Sequence, residues 1–194
     1  PDRLPAAVRA MSRLAVFKDV ESAGVYLGFM GGVLSANPAR AEALVTAMFP
    51  MPPEDQVAIV KAVAYCGLPD WKGLLGRFVE RMPARRILID RYLYGKMPPL
   101  ETLGLETGPA ALDANWGFYF ASGSQAPIRR IEAALAWVRD ANDVDKLTVG
   151  GMAKWTLAKN ASRDSDLLDL LKRDAGTQPK PVARELREVI EAVE

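Results

Sequence analysis

Apolar residues recur along this chain three and four positions apart, the spacing of helices that bury one face. Leu4, Val8, Met11 and Leu14 give a first stripe. A second helix is predicted from an Asp19 cap to about Ala36, where Asn37-Pro38 stops it, because a residue before proline avoids the helical region. Over 38–49, Ala41, Leu44, Val45 and Met48 repeat the pattern. Pro53-Glu54-Asp55 opens a helix that buries Val57, Val60, Val63 and Ala64 and ends at Gly67. Proline suits the first helical turn, and acids there face the positive end of the helix dipole. Pro69 opens another through Leu74, Leu75, Phe78 and Val79, and Pro83 a third through Ile87, Leu88 and Tyr92.

Residues 95–109 form the longest irregular stretch, and helical spacing resumes after it. Pro109 begins a helix through Leu112, Trp116 and Phe120 that Gly123 closes. Residues 126–138 are expected to bury Ile128, Ile131, Leu135 and Val138 and to expose Arg129, Arg130 and Glu132. Asn142 or Asp143 caps a helix to about Asn160, and Asp164 and Asp166 start a shorter one with Leu167, Leu168, Leu170 and Leu171. Pro179 and Pro181 precede a last amphipathic helix with Val182, Leu186, Val189, Ile190 and Val193. The expected fold is all-α, a single domain of about ten helices in antiparallel hairpins, with halves 1–95 and 109–194 joined by the irregular stretch.

Four helix junctions look alike, and at an offset of 39 residues Ala114, Trp116, Ile128 and Ile131 fall on Ala153, Trp155, Leu167 and Leu170. That offset lies in the range of HEAT-like and TPR-like repeats, which would make the array a short superhelix. Any Ala-rich helical hairpin would give similar junctions, and both readings stand at this point.

Composition narrows the chemistry. The chain has 194 residues, 25 Lys+Arg, 24 Asp+Glu, one Cys and no His. Without His there is no Ser-His-Asp triad, no Cys-His pair and no imidazole metal ligand. One Cys excludes intrachain disulfides and Cys-rich zinc sites. A net charge of +1 gives no global attraction to nucleic acid or acidic lipid. The longest uncharged run, residues 22–36, is shorter than the roughly 20 residues that span a bilayer, so it reads as a core helix. No signal peptide opens the chain. Its start at Pro1 fits a removed initiator Met, a cleaved signal or a truncation, and the lone Cys fits cytosol or periplasm.

Five features are weighed for a functional reading. Gly24, Gly28 and Gly32 form a smooth strip on the second helix, widened by Gly31. Each costs about 1 kcal/mol of helix propensity against Ala, so close approach of another backbone is expected there. That backbone belongs to the same chain, to a second copy in a dimer seam, or is replaced by an apolar ligand. Gly150-Gly151 is expected to share the cause. Residues 71–97 carry seven basic residues against Glu80 and Asp90, a local +5 that includes Arg81, Arg85, Arg86 and Arg91. Ion-paired helix faces explain this, and an anionic partner is the other reading; no nucleic-acid-binding signature accompanies it. The helix after Pro109 holds Trp116, Phe118, Tyr119 and Phe120 with one charge, so it should be central, with Asn115 hydrogen-bonded inside it. Trp116 and Tyr119 join the arginines as binding candidates. Asp140, Asn142, Asp143 and Asp145 miss the EF-hand pattern and read as helix caps. Cys66, near a helix C-terminus, reads as a packing residue. No metal site and no cofactor is expected.

The strings WGFYFASG (116–123) and KWTLAKNAS (154–162), the VGGMA between them, and the opening helix with SANPAR resemble a family of uncharacterised all-helical proteins from proteobacteria. The resemblance covers most of the chain and implies a soluble bacterial helical protein, with no assigned activity. The function expected from the residues is a non-catalytic helical scaffold that binds a protein or peptide partner. A carrier of an apolar small molecule or lipid is the alternative, and an enzyme using carboxylates and arginine comes third.

Overall fold

Helix formers dominate the sequence, and the computed structural model, which describes all residues from Pro1 to Glu194, contains eleven α-helices, six short 3-10 turns and no strand. The all-α expectation is met. The helices are α1 (Leu4–Arg13), α2 (Gly24–Ser35), α3 (Ala41–Ala47), α4 (Gln56–Ala64), α5 (Trp71–Gly76), α6 (Arg86–Leu93), α7 (Pro109–Ser122), α8 (Ala126–Ala133), α9 (Val144–Ala161), α10 (Ser165–Asp174) and α11 (Lys180–Glu191). None is long and apolar enough to cross a membrane.

Chain contacts group the helices into two compact units. Pro1–Leu103 with Asp113–Pro127 form the first, and Gly104–Leu112 with Ile128–Glu194 form the second. In the first unit α2 and α4 supply the centre of the core, with Leu27, Met30 and Leu34 packed among Ile59, Val60 and Val63. Leu74 and Leu75 of α5 and Ile89 and Tyr92 of α6 close it, and Trp71 meets Tyr92 edge-on at 6.2 Å. In the second unit the apolar stripes of α8, α9, α10 and α11 bury Ile128, Ile131, Val149, Leu157, Leu167, Leu171, Leu186 and Val189.

Caps and breaks set the boundaries. The Asp143 carboxylate accepts from the Lys146 N–H at 3.0 Å and Asp164 from the Leu167 N–H at 3.1 Å, so both acids cap helix N-termini as expected. Gly67 and Gly123 take φ of +64° and +68°, the left-handed conformation that ends α4 and α7. The irregular stretch after α6 holds two 3-10 turns, Leu100–Thr102 and Leu105–Thr107.

Some details differ from expectation. Asp19 does not cap α2: it caps a local turn through the Glu21 N–H and the Ser22 hydroxyl, and α2 starts five residues later at Gly24. Leu14 lies beyond the end of α1 and is exposed. Pro83–Arg85 is a 3-10 turn, so the α-helical register begins only at Arg86. That rotation buries Ile89 and Tyr92 and leaves Ile87 in solvent. At the 39-residue offset Ala114 and Ala153, Ile128 and Leu167, and Ile131 and Leu170 are buried in pairs, whereas Trp116 is buried and Trp155 exposed.

Candidate functional site

The glycine strip of α2 is occupied from within the chain. A methyl added at Gly28 would overlap the backbone carbonyl of Ala114 in α7, and one at Gly32 would stand 2.7 Å from the Phe118 carbonyl oxygen. Gly117 returns the contact, because a methyl there would overlap the Val25 carbonyl. A methyl at Gly31, on another side, would stand 3.0 Å from the Tyr65 carbonyl oxygen. Gly24 is buried at the start of the same helix. Gly150 and Gly151 part company. A methyl at Gly150 would come within 2.7 Å of the backbone joining Trp137 and Val138, while the space beside Gly151 is open.

Most of the basic segment is engaged locally. The Arg81 guanidinium lies over the Phe49 ring at 4.1 Å, and Phe49 stacks on Phe78. Arg85 donates from Nε to the Pro53 carbonyl at 2.9 Å and from Nη2 to the Glu54 carbonyl at 3.0 Å. These are carbonyls just before α4, so Arg85 acts as a strap between two helix starts. Arg86 pairs with Asp90 at 3.4 Å and Glu80 at 3.6 Å, and Arg77 with Glu42 at 3.0 Å. Arg91 is exposed. Arg81, Arg85 and Arg86 are thus held in place by local partners, and only Arg77 gains acids from outside the segment, Glu42 and Asp70.

Trp116 is buried in α7, with Phe120 stacked on it at 5.6 Å and Tyr119 edge-on at 6.1 Å. Tyr119 is half-buried and Phe120 exposed, so α7 is not apolar-buried all round. Asn115 is buried as expected. Cys66 is also buried, and desolvation pushes its thiol up to about 11, which suits packing and not nucleophilic attack.

Three open clefts lie on the first unit. One of about 420 Å³ runs between α1 and α2, walled by Leu4, Ala7 and Met11 on one side and Phe29 and Val33 on the other, with Asp2 and Arg3 at its end. A second of about 360 Å³ lies beside Pro38, Leu68 and Leu74, rimmed by the Glu42–Arg77–Asp70 ion-pair string. The third, about 170 Å³, is lined by Arg9, Ser12, Arg13 and the Pro50–Pro52 segment.

The second unit holds two buried carboxyl clusters that sequence reasoning missed. Glu185 of α11 is nearly inaccessible and accepts from Lys154 Nζ at 2.8 Å, Arg139 Nε at 3.0 Å and Arg184 Nε at 3.0 Å. Glu188 shares Arg139 and Lys154. Burial alone would raise the Glu185 carboxyl, but the three cations outweigh it and hold it at about 2. Glu132 of α8, expected in solvent, is instead fully buried. Its Oε2 accepts from Gln178 Nε2 at 2.9 Å, and its carboxyl lies in hydrogen-bonding reach of Asp174, which pairs with Arg129 at 3.2 Å. Burial and then the Asp174 charge raise Glu132 to about 8. Its Oε1 finds no donor. Protonated, the Glu132 carboxyl can donate to the Asp174 carboxylate.

A positional signal for these acids was present. Glu132 follows Ile128 by four, Asp174 follows Leu170 by four, and Glu185 precedes Val189 by four, so each stands on the apolar stripe of its own helix. Comparison of the chain with protein-family models, with curated proteins and with solved structures finds no match.

Proposed function

We propose that this chain is a non-catalytic helical scaffold that seats a short apolar segment of a protein or peptide partner in the α1–α2 cleft. The observation that carries the reading is the cleft itself. Its two walls are apolar side chains from adjacent helices, and Phe29 keeps 41% of its surface in solvent on a helix whose other large exposed side chain is Tyr26. An open apolar groove between two helices is the geometry that accepts a partner helix through side chains three and four residues apart. Openness to solvent favours a chain segment over a small apolar ligand, which gains most from an enclosed pocket. Glu132, the carboxyl raised furthest toward neutrality, is sealed from any substrate, which gives the enzyme reading no support.

The test is selection of displayed peptides on the wild-type chain with counter-selection on Met11→Glu, which puts a charge on the cleft wall. The expected peptides carry two apolar anchors at helical spacing and lose at least about tenfold in affinity on the variant. No enrichment, or peptides that bind Met11→Glu equally well, overturns the proposal.

A further inference from the structure

Helix α9 is apolar on two sides. Val149, Ala153 and Leu157 are buried against the second unit's core, as an amphipathic helix requires. On the opposite side Val144, Leu147, Gly151, Trp155 and Ala158 follow one another at steps of three and four, which puts them in one row. Val144 is 72% exposed and Trp155 61%. Single exposed apolar residues are ordinary, but Val144, Leu147 and Trp155 in one line over about three turns mark a contact surface, with Ala158 half-buried at its end.

The row is symmetric about Gly151. Leu147 and Trp155 stand four residues to either side of it, and Val144 and Ala158 seven. Gly151 is also a helix-interior glycine that nothing inside the chain explains. Gly28, Gly32, Gly117 and Gly150 each meet a neighbouring backbone where a methyl would stand, whereas Gly151 meets nothing within 4 Å. Its helix-propensity cost of about 1 kcal/mol is offset if another backbone approaches there from outside.

We propose that this face is the seam of a homodimer in which two α9 helices cross antiparallel at Gly151. A row with this symmetry is self-complementary, as a two-fold interface requires. Leu147 then packs on the partner copy's Trp155, and Val144 on the partner copy's Ala158. Charge selects the direction. Lys159 sits at one end of the row with its Nζ 4.4 Å from the Trp155 ring centre, and the exposed Asp145 sits at the other. The antiparallel register brings each Lys159 to within about two residues, roughly 3 Å along the axis, of the opposing Asp145. A parallel pair would set Lys159 against Lys159. Burial of Trp155 removes on the order of 150 Å² from water. One helix per copy still falls short of the roughly 800 Å² per partner of a standard interface, which puts the pair among small, concentration-dependent dimers.

Sedimentation velocity on the full chain from about 1 µM to about 1 mM tests this. The mass should climb from 21.1 kDa toward twice that value with concentration. Trp155→Glu should hold the chain monomeric with its helical circular dichroism intact. Asp145→Lys, a change at an exposed site, should weaken association at least about fivefold, and Asp145→Lys with Lys159→Asp should restore it. A monomer at every concentration overturns the proposal. So does a dimer that both single variants leave unchanged, and a double variant that fails to recover overturns the antiparallel register. The α1–α2 cleft is not involved, so either result leaves the peptide-binding test independent.

Discussion

The backbone at Gly28 touches the carbonyl of Ala114, with no room between α2 and α7 for a single methyl group. The neighbour is main chain, which cannot rotate away as a side chain can. Gly28→Ala must therefore separate the helices, and overpacking of this kind typically costs about 1–3 kcal/mol. Guanidinium unfolding should show a lower midpoint with an unchanged slope. Gly151→Ala is the control of opposite sign. It meets open space, so at dilute concentrations it should stabilise the chain by about 1 kcal/mol through helix propensity alone. Equal midpoints for the two variants would mean that α7 does not approach α2 this closely.

Much of this was legible in the residue pattern, and the exceptions have physical reasons. A glycine every fourth residue in α2 pointed to a close neighbour on that face, because each helical glycine carries a propensity cost that a close contact offsets. It did not say which backbone approached, since that depends on long-range packing. Asp143 and Asp164 were readable as caps because their partners lie three residues away. Asp19 was misread for the same local reason: its oxygens satisfy a turn, and the helix forms later. The arginines misled in the other direction. Net charge counts formal ions, whereas Arg85 bonds two carbonyls that any sequence would carry, so no residue-type signal points to it. Glu132 and Glu185 sit at core positions of their helices, but residue type argued for solvent and position argued for burial. Only the partners Asp174, Gln178, Lys154 and Arg139, about 31–46 residues away, decide it.

Arg85 gives a test of the basic segment. Its fork reaches two adjacent carbonyls, geometry that a lysine ammonium on a flexible stem does not reproduce. Arg85→Ala should cost about 1–2 kcal/mol, and Arg85→Lys should recover little of it. Arg91→Ala, at an exposed position of the same segment, should stay within about 0.5 kcal/mol of wild type. Thermal melts of the three variants check this. If Arg91→Ala matched Arg85→Ala, general charge and not the carbonyl fork would be holding the segment.

Glu185 sets the acid limit of the second unit. Its carboxyl is held at about 2 in the fold against an ordinary 4.5. Stabilisation from this group is complete above about pH 4.5 and is lost as pH falls toward 2, because the folded chain must then take up a proton it resists. With its cationic partners partly exposed, the loss is on the order of 2 kcal/mol. Glu185→Gln should lower stability at pH 7 and flatten the dependence between pH 4.5 and 2. A variant as acid-sensitive as wild type would place the acid limit elsewhere.

Glu132 works with the opposite sign at higher pH. Its carboxyl titrates near 8 in the fold and near 4.5 when unfolded. Between those values the unfolded chain has released a proton that the folded chain retains, so stability falls as pH rises and levels off above about 8. The full swing is on the order of a few kcal/mol. Glu132→Gln separates the charge from the shape. The amide oxygen can still accept from Gln178, and the amide nitrogen can donate to Asp174, as the protonated acid does. The variant should match wild type at pH 5, exceed its stability at pH 8 and show no slope between. Urea unfolding at a series of pH values measures it. Parallel curves for the two proteins would show that Glu132 keeps the same charge in both states and that burial beside Asp174 does not hold its proton.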